Sequence, residues 1–232
     1  MALRSTIVRI LALLAIVLST LAAPLGRASA AEVSLDGGRY QRAGAGWRTC
    51  ETADGVETCR SVVIDITEAR GRESTGAGSM EQTGRDIVCV THQVLRRPAD
   101  GGEGMVDELD ELGCEVLPLG SVKFEGIAGA SLPATRVTLS EGCHWTPDTG
   151  CRPAPGRAVT VTAEWRPEEQ ALPSRPMHWV YSDGGCVFGD SWVGQFRWAT
   201  ATGTIEGEHL PAESLWGAAL QEGTFNRMLN CH

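Results

Sequence analysis

All eight cysteines of this 232-residue chain lie downstream of an N-terminal segment that is typical of a cleavable export signal. Arg4 and Arg9 precede an almost wholly apolar run from position 10 to 23, and Ala28-Ser-Ala30 supplies a small-residue cleavage site. The apolar run is shorter than the roughly 20 residues that a membrane-spanning helix needs. We therefore expect residues 1–30 to be removed as a signal peptide and the mature chain to be secreted, with no membrane span.

Eight cysteines in an exported chain predict disulfides, although spacing alone leaves 105 pairings open for eight cysteines. One pair follows from a turn, because Asp54-Gly55 favours a two-residue type I′ hairpin in which both central residues have positive φ. In that register Cys50 faces Cys59 at a non-hydrogen-bonded position, where Cα atoms lie about 4.5 Å apart. That separation suits a disulfide, so the sequence predicts a Cys50–Cys59 bridge.

The other six cysteines are paired by weaker arguments. Cys143 and Cys151 bracket a Thr-Pro-Asp-Thr-Gly segment, and Pro and Asp before Gly favour a tight turn. A second local bridge is therefore expected there. Nearest-neighbour pairing of the remaining four gives Cys89–Cys114 and Cys186–Cys231.

Short runs of alternating apolar and polar residues dominate the chain after residue 46. The clearest run places Val159, Val161, Ala163 and Trp165 on one face of a half-buried strand. Many short strands with few helices predict an all-β fold, mainly an antiparallel β-sandwich or a partly open barrel. We expect residues 47–232 to form one disulfide-stapled β-rich domain.

A few segments depart from this strand pattern. Residues 31–46 are Gly-rich and polar and are expected to form a flexible N-terminal arm, and residues 70–84 are expected to form a polar loop. The acidic run 105–112 suggests a short helix or an acidic loop. Residues 212–228 suggest a short C-terminal helical segment.

No motif in the chain has the spacing that a known catalytic or metal site requires. Gly189-Asp-Ser191 resembles the nucleophile motifs of serine hydrolases, but it lies late and inside an apparent strand, without a base and acid at the required spacing. The acids within 107–115 lack the ligand order of a calcium loop. Cys143, His144 and Cys151 lack the paired Cys-x-x-Cys spacing of zinc sites. We expect no catalytic, cofactor-binding or metal-binding residues, although the sequence leaves enzymatic activity open.

Charge and aromatic content limit the partners. The formal net charge of −9 repels phosphate backbones, so nucleic acid is not expected as a partner. Seven tryptophans are present, and most are expected in the core. Trp145, beside a stapled turn, and Trp192, beside Asp190, are the exceptions that we expect to be exposed, where they suit stacking on a sugar or anchoring a protein partner.

The stretch Trp198-Ala-Thr-Ala-Thr-Gly-Thr-Ile-Glu-Gly207 resembles uncharacterised secreted β-rich proteins of actinobacteria, and this resemblance implies no function. We expect a monomeric, non-enzymatic protein that binds an extracellular protein or glycan. Two alternatives stay open: a carbohydrate-binding module that uses exposed Trp, and an extracellular hydrolase with dispersed acidic residues.

Overall fold

The computed structural model describes residues 35–74, 80–100, 105–173, 177–183, 186–211 and 214–231, so the predicted signal peptide lies outside the described residues. The described residues belong to one compact unit, and none of them forms a helix long and apolar enough to cross a membrane. They form the strands β1 (Leu35–Ala53), β2 (Val56–Ser74), β3 (Met80–Pro98), β4 (Asp107–Pro118), β5 (Lys123–Phe124), β6 (Ala130–Leu139), β7 (Glu141–Thr146), β8 (Gly150–Pro153), β9 (Arg157–Pro173), β10 (Met177–Asp183), β11 (Cys186–Ile205), β12 (Glu208–His209) and β13 (Ser214–Cys231).

All of these strands belong to a single antiparallel sheet, which confirms the all-β prediction. Its order is β5-β6-β9-β11-β13-β1-β2-β3-β4-β7-β8, and β10 and β12 also pair with β11. The sheet is open, because β5 and β8 stand at its two ends.

The β1–β2 hairpin has the predicted turn and register. Asp54 and Gly55 have φ angles of 51° and 75°, as a type I′ turn requires. Cys50 faces Cys59 and their Cα atoms lie 4.1 Å apart in the bridge. Farther from the turn, the same register pairs Trp47 with Val62.

The other disulfides of the described side chains also join neighbouring strands. Cys89 on β3 is bonded to Cys114 on β4, and Cys143 on β7 is bonded to Cys151 on β8, as expected. The backbone of Cys186 lies opposite that of Cys231 in the β11–β13 ladder. Their side chains lie outside the described part of the structure, so the fourth bridge stays a prediction.

One face of the sheet carries the apolar core. Alternate residues of β1, β2, β3, β6, β9, β11 and β13 point to it, and their side chains form one buried cluster. Strands from both halves of the sheet contribute, so the sheet curls around this face. The largest fully buried apolar side chains are Trp47, Trp165, Ile64, Ile66, Leu139 and Leu220.

Curling brings β4 against β6, at a contact that we call the seam. β7 pairs with β4 only over Glu108–Leu112, so the rest of that edge lies beside β6. A Cβ placed on Gly113 would meet the carbonyl oxygen of Thr138 at 2.0 Å, so the two backbones pack directly together. Across the seam, the backbone N–H of Thr138 donates to Oε1 of Glu115 at 3.2 Å.

Four sequence-based expectations were wrong in their local structure. From Leu35 onward the predicted arm is strand β1, and the predicted loop 70–84 is mostly the ends of β2 and β3. The acidic run becomes β4 from Asp107 onward. The predicted C-terminal helical segment is strand β13, which pairs with β1 on one side and β11 on the other. Pairing on both edges decides the conformation of such a segment, whatever its intrinsic propensity.

Candidate functional site

A cleft lies on the outer face of the sheet, where β4 meets β7. Its volume is about 470 Å³, and Met105, Glu108, Asp110, Cys143 and Trp145 line it. The β4–β7 register places Glu108 directly opposite Trp145 and Asp110 opposite Cys143. Alternation along each strand therefore brings two carboxylates and an indole to the same face. We call this feature the Trp145 cleft.

Local structure fixes the strand that carries Trp145. The β7–β8 hairpin turns through residues 147–149, and Gly150 follows with a φ of 62°, which glycine tolerates. The Oγ1 atoms of Thr146 and Thr149 lie 2.7 Å apart, and the Thr149 N–H donates to Oγ1 of Thr146. The Cys143–Cys151 bridge joins the two strands below the turn. Turn and bridge together hold the indole in place at the edge of the sheet.

The two carboxylates of the cleft have different surroundings. Glu108 accepts a hydrogen bond at 2.7 Å from the side-chain amide of Gln93 on β3. Partial burial raises the pKa of Asp110, and the nearby Glu108 carboxylate raises it further, whereas His92 acts in the opposite direction. Among the described residues that line the cleft, none has a cationic side chain, so none of them neutralises the two carboxylates.

A polar cluster centred on the buried carboxylate of Glu111 lies across the sheet from the cleft. Nδ1 of His92 is 3.0 Å from Oε2 of Glu111, and Nε of Arg157 is 3.1 Å from the same oxygen. Burial lowers the pKa of His92, and Arg157 lowers it further, whereas its hydrogen bond with Glu111 opposes the shift. Because Arg157 begins β9 and Glu111 lies on β4, this cluster ties the two sides of the seam together.

A second buried group consists of Glu68 and Asp86, which face each other on β2 and β3. Oδ2 of Asp86 accepts the Val122 N–H at 2.7 Å, and Glu68 is hydrogen-bonded to Gln41 and Arg70. Burial raises the pKa of Asp86, and Glu68 adds to that effect against the hydrogen bonds from the backbone. Both carboxyl groups are buried, so they anchor the segment after β4 and offer no open surface to a substrate.

The two tryptophans that the sequence singled out have different outcomes. Trp145 lies half-buried in the cleft. The backbone of Trp192 lies on β11 opposite Phe225, and its side chain is outside the described part of the structure. Sequence reasoning missed Trp198, which is 44% exposed and packs edge-on against Phe196. The sequence does contain a signal for this exposure, because Trp198 belongs to a series of alternate positions on β11 that are otherwise mostly threonine.

Cys50, Glu57 and Cys59 bring three potential metal-ligating atoms within 4.8 Å of one another. Both sulfur atoms are bonded to each other in the disulfide. Neither is a thiolate, which is the form that binds a metal, so this group has no thiolate ligand to offer. The Trp145 cleft is therefore the candidate functional site.

Comparison of the chain with protein-family models, with curated proteins and with solved structures gives no match.

Proposed function

We propose that this chain is exported, folds as a partly open barrel and binds an extracellular ligand in the Trp145 cleft without transforming it. The observation that carries the proposal is an indole and two carboxylates on one face of a concave site. Small-molecule sites are concave and combine apolar or aromatic surface with a few converging polar groups. The Trp145 cleft has both components, and a disulfide-linked hairpin pre-organises it, which lowers the entropy lost on binding.

Export is supported by the N-terminal segment together with the three disulfides of the described residues. We expect protein recovered from the medium of an exporting host to begin near Ala31 and to contain no free thiol. Intact-mass measurement and thiol titration check both points. A retained leader, or eight free thiols, would show that the export proposal is wrong.

Ligand binding is tested with soluble probes: glucose, N-acetylglucosamine, glucosamine, choline and acetate. Saturation-transfer NMR measures binding through the signals of the ligand. The wild-type protein and its variants can therefore be compared without labelling the protein. We expect at least one probe to bind, Trp145→Ala to abolish that binding, and Trp198→Ala to leave it intact. The control removes another partly exposed indole that lies outside the cleft. No binding by any probe, or loss only in Trp198→Ala, would contradict the proposal.

A second candidate function is glycoside hydrolysis, and the raised pKa of Asp110 beside Glu108 favours it. Glycosidases place two carboxyl groups with separated pKa values on either side of the scissile bond. Fluorogenic glucosides and N-acetylglucosaminides test this alternative. Release of the fluorophore that disappears in Asp110→Asn would support hydrolysis, and unchanged substrates would leave the binding function.

A further inference from the structure

We propose that the Trp145 cleft selects an organic cation, namely a primary or quaternary ammonium group, over a neutral sugar of similar size. The inference rests on the proposed function and names the ligand chemistry of the same site. It follows from three properties of the cleft: its uncompensated charge, the position of the indole relative to the carboxylates, and its sulfur-containing wall.

The hydrogen-bonding groups of the cleft favour a cation. Glu108 and Asp110 supply only acceptors when ionised, and the amide of Gln93 already donates to Glu108. The neighbouring Arg96 is paired with Asp107, at 3.0 Å. A sugar carries several hydroxyls that each accept as well as donate, and the indole N–H of Trp145 is one of few donors that the lining side chains can offer them, whereas an ammonium group only donates.

The strand register places an aromatic ring next to a carboxylate. Glu108 and Trp145 are directly opposite on β4 and β7, and the Cβ atoms of such a pair lie about 4.5–5.5 Å apart. A cation within about 6 Å of the ring centroid is attracted by the negative face of an indole. A single ammonium group can therefore contact the ring and the carboxylate together. A neutral ligand at the same place gains neither the cation–π attraction nor the ion pair.

The remaining wall suits the carbon atoms that surround such a charge. Met105 and the bridged sulfur of Cys143 supply polarisable surface with weak hydrogen-bonding capacity. Methyl or methylene groups on the nitrogen pack against this wall without leaving a strong donor or acceptor unsatisfied. Quaternary and alkyl ammonium groups therefore fit as well as a primary ammonium group does.

The decisive comparison is choline against dimethylbutanol, the neutral isostere in which carbon replaces the charged nitrogen. Both are titrated by saturation-transfer NMR at one fixed salt concentration. We expect dimethylbutanol to bind at least about tenfold more weakly, because it lacks the cation–π and carboxylate attraction. Glucosamine against glucose, and cadaverine alone, show whether the preferred ammonium group is carried by a sugar or by an alkyl chain.

Charge-removing variants locate the effect. Glu108→Gln and Asp110→Asn are each expected to weaken choline binding by about three- to tenfold, in line with a partly screened ion pair. Glu164→Gln is the matched control, because it removes the same charge from an exposed carboxylate on β9. Equal losses in all three variants would indicate general attraction to an acidic protein and would overturn the inference.

The two proposals fail in different ways. Equal affinity for choline and dimethylbutanol, or tighter binding of glucose than of glucosamine, would overturn the preference for a cation while the cleft remains a binding site. Absence of binding by every probe would overturn the proposed function itself.

Discussion

The seam between β4 and β6 gives the sharpest test of the fold through the variant Gly113→Ala. A methyl group at this position would be 2.0 Å from the Thr138 carbonyl oxygen and 2.9 Å from Cα of Leu139. Both of these are backbone atoms, so no side chain can rotate away. The methyl group therefore fits only if the two strands separate.

The size of the effect follows from this geometry. Ordinary contact begins at 3.4 Å, so the carbonyl oxygen of Thr138 has to retreat by more than an ångström. Overpacking of this kind typically costs about 1–3 kcal/mol, and loss of the Glu115–Thr138 hydrogen bond adds about 1 kcal/mol. We expect the free energy of unfolding to fall by about 3 kcal/mol. For a chain of this size that is a fall of about 6–12 °C in Tm.

Urea unfolding followed by tryptophan fluorescence measures this change, because Trp47 and Trp165 are buried in the core. Gly129→Ala is the matched control. There the added methyl group meets its nearest atom, the Trp165 carbonyl oxygen, at 3.5 Å, which is ordinary contact. We expect the control to change the free energy of unfolding by less than about 1 kcal/mol. Equal effects of the two variants would refute the direct backbone packing at the seam.

Three further predictions concern buried charges and disulfides. Burial raises the pKa of Asp86, so its carboxyl group holds a proton more tightly in the folded chain than in the unfolded chain. The folded state therefore loses stability as pH rises from the pKa of Asp86 in the unfolded chain through its pKa in the folded chain. Asp86→Asn should therefore gain stability relative to wild type as pH rises from about 4, and chemical unfolding that shows a constant difference from pH 4 to 8 would contradict this. The guanidinium of Arg157 lies 3.2 Å from Nδ1 of His92 and lowers its pKa, so Arg157→Ala should raise the pKa of His92. An NMR titration of His92 that finds no change or a fall would contradict this. Replacing Cys50 and Cys59 by serine should cost about 3 kcal/mol, given the short loop that they close, and unchanged urea unfolding would count against the estimate.

The sequence was most informative where a local rule had one solution. Asp54-Gly55 requires positive φ at both positions, so the turn fixed the register of the hairpin and with it the Cys50–Cys59 bridge. The Thr-Pro-Asp-Thr-Gly segment favours a tight turn, which predicted the Cys143–Cys151 bridge that joins β7 and β8. In both cases, neighbouring residues alone determine the outcome.

The failures occurred where distant partners decide the structure. The acidic run became β4 because its charges find partners across strands, including Arg96 for Asp107 and Gln93 for Glu108. β13 has small residues such as Ala218 that also suit a helix, but its strand conformation is set by pairing on both edges. Only the sequence position of Trp145 pointed to the cleft, since nothing local shows that Glu108 lies opposite it.

The disulfides have a consequence for how the chain acquires its fold. Each of the three in the described residues joins strands that are already neighbours, across sequence separations of 9, 25 and 8 residues. Every partner is also the next cysteine along the chain. In an oxidising compartment these disulfides can therefore form in sequence order, beginning with the one nearest the N-terminus, as the chain emerges. None of these six cysteines depends on a partner far along the chain, so few wrong pairings can form that an isomerase would have to repair.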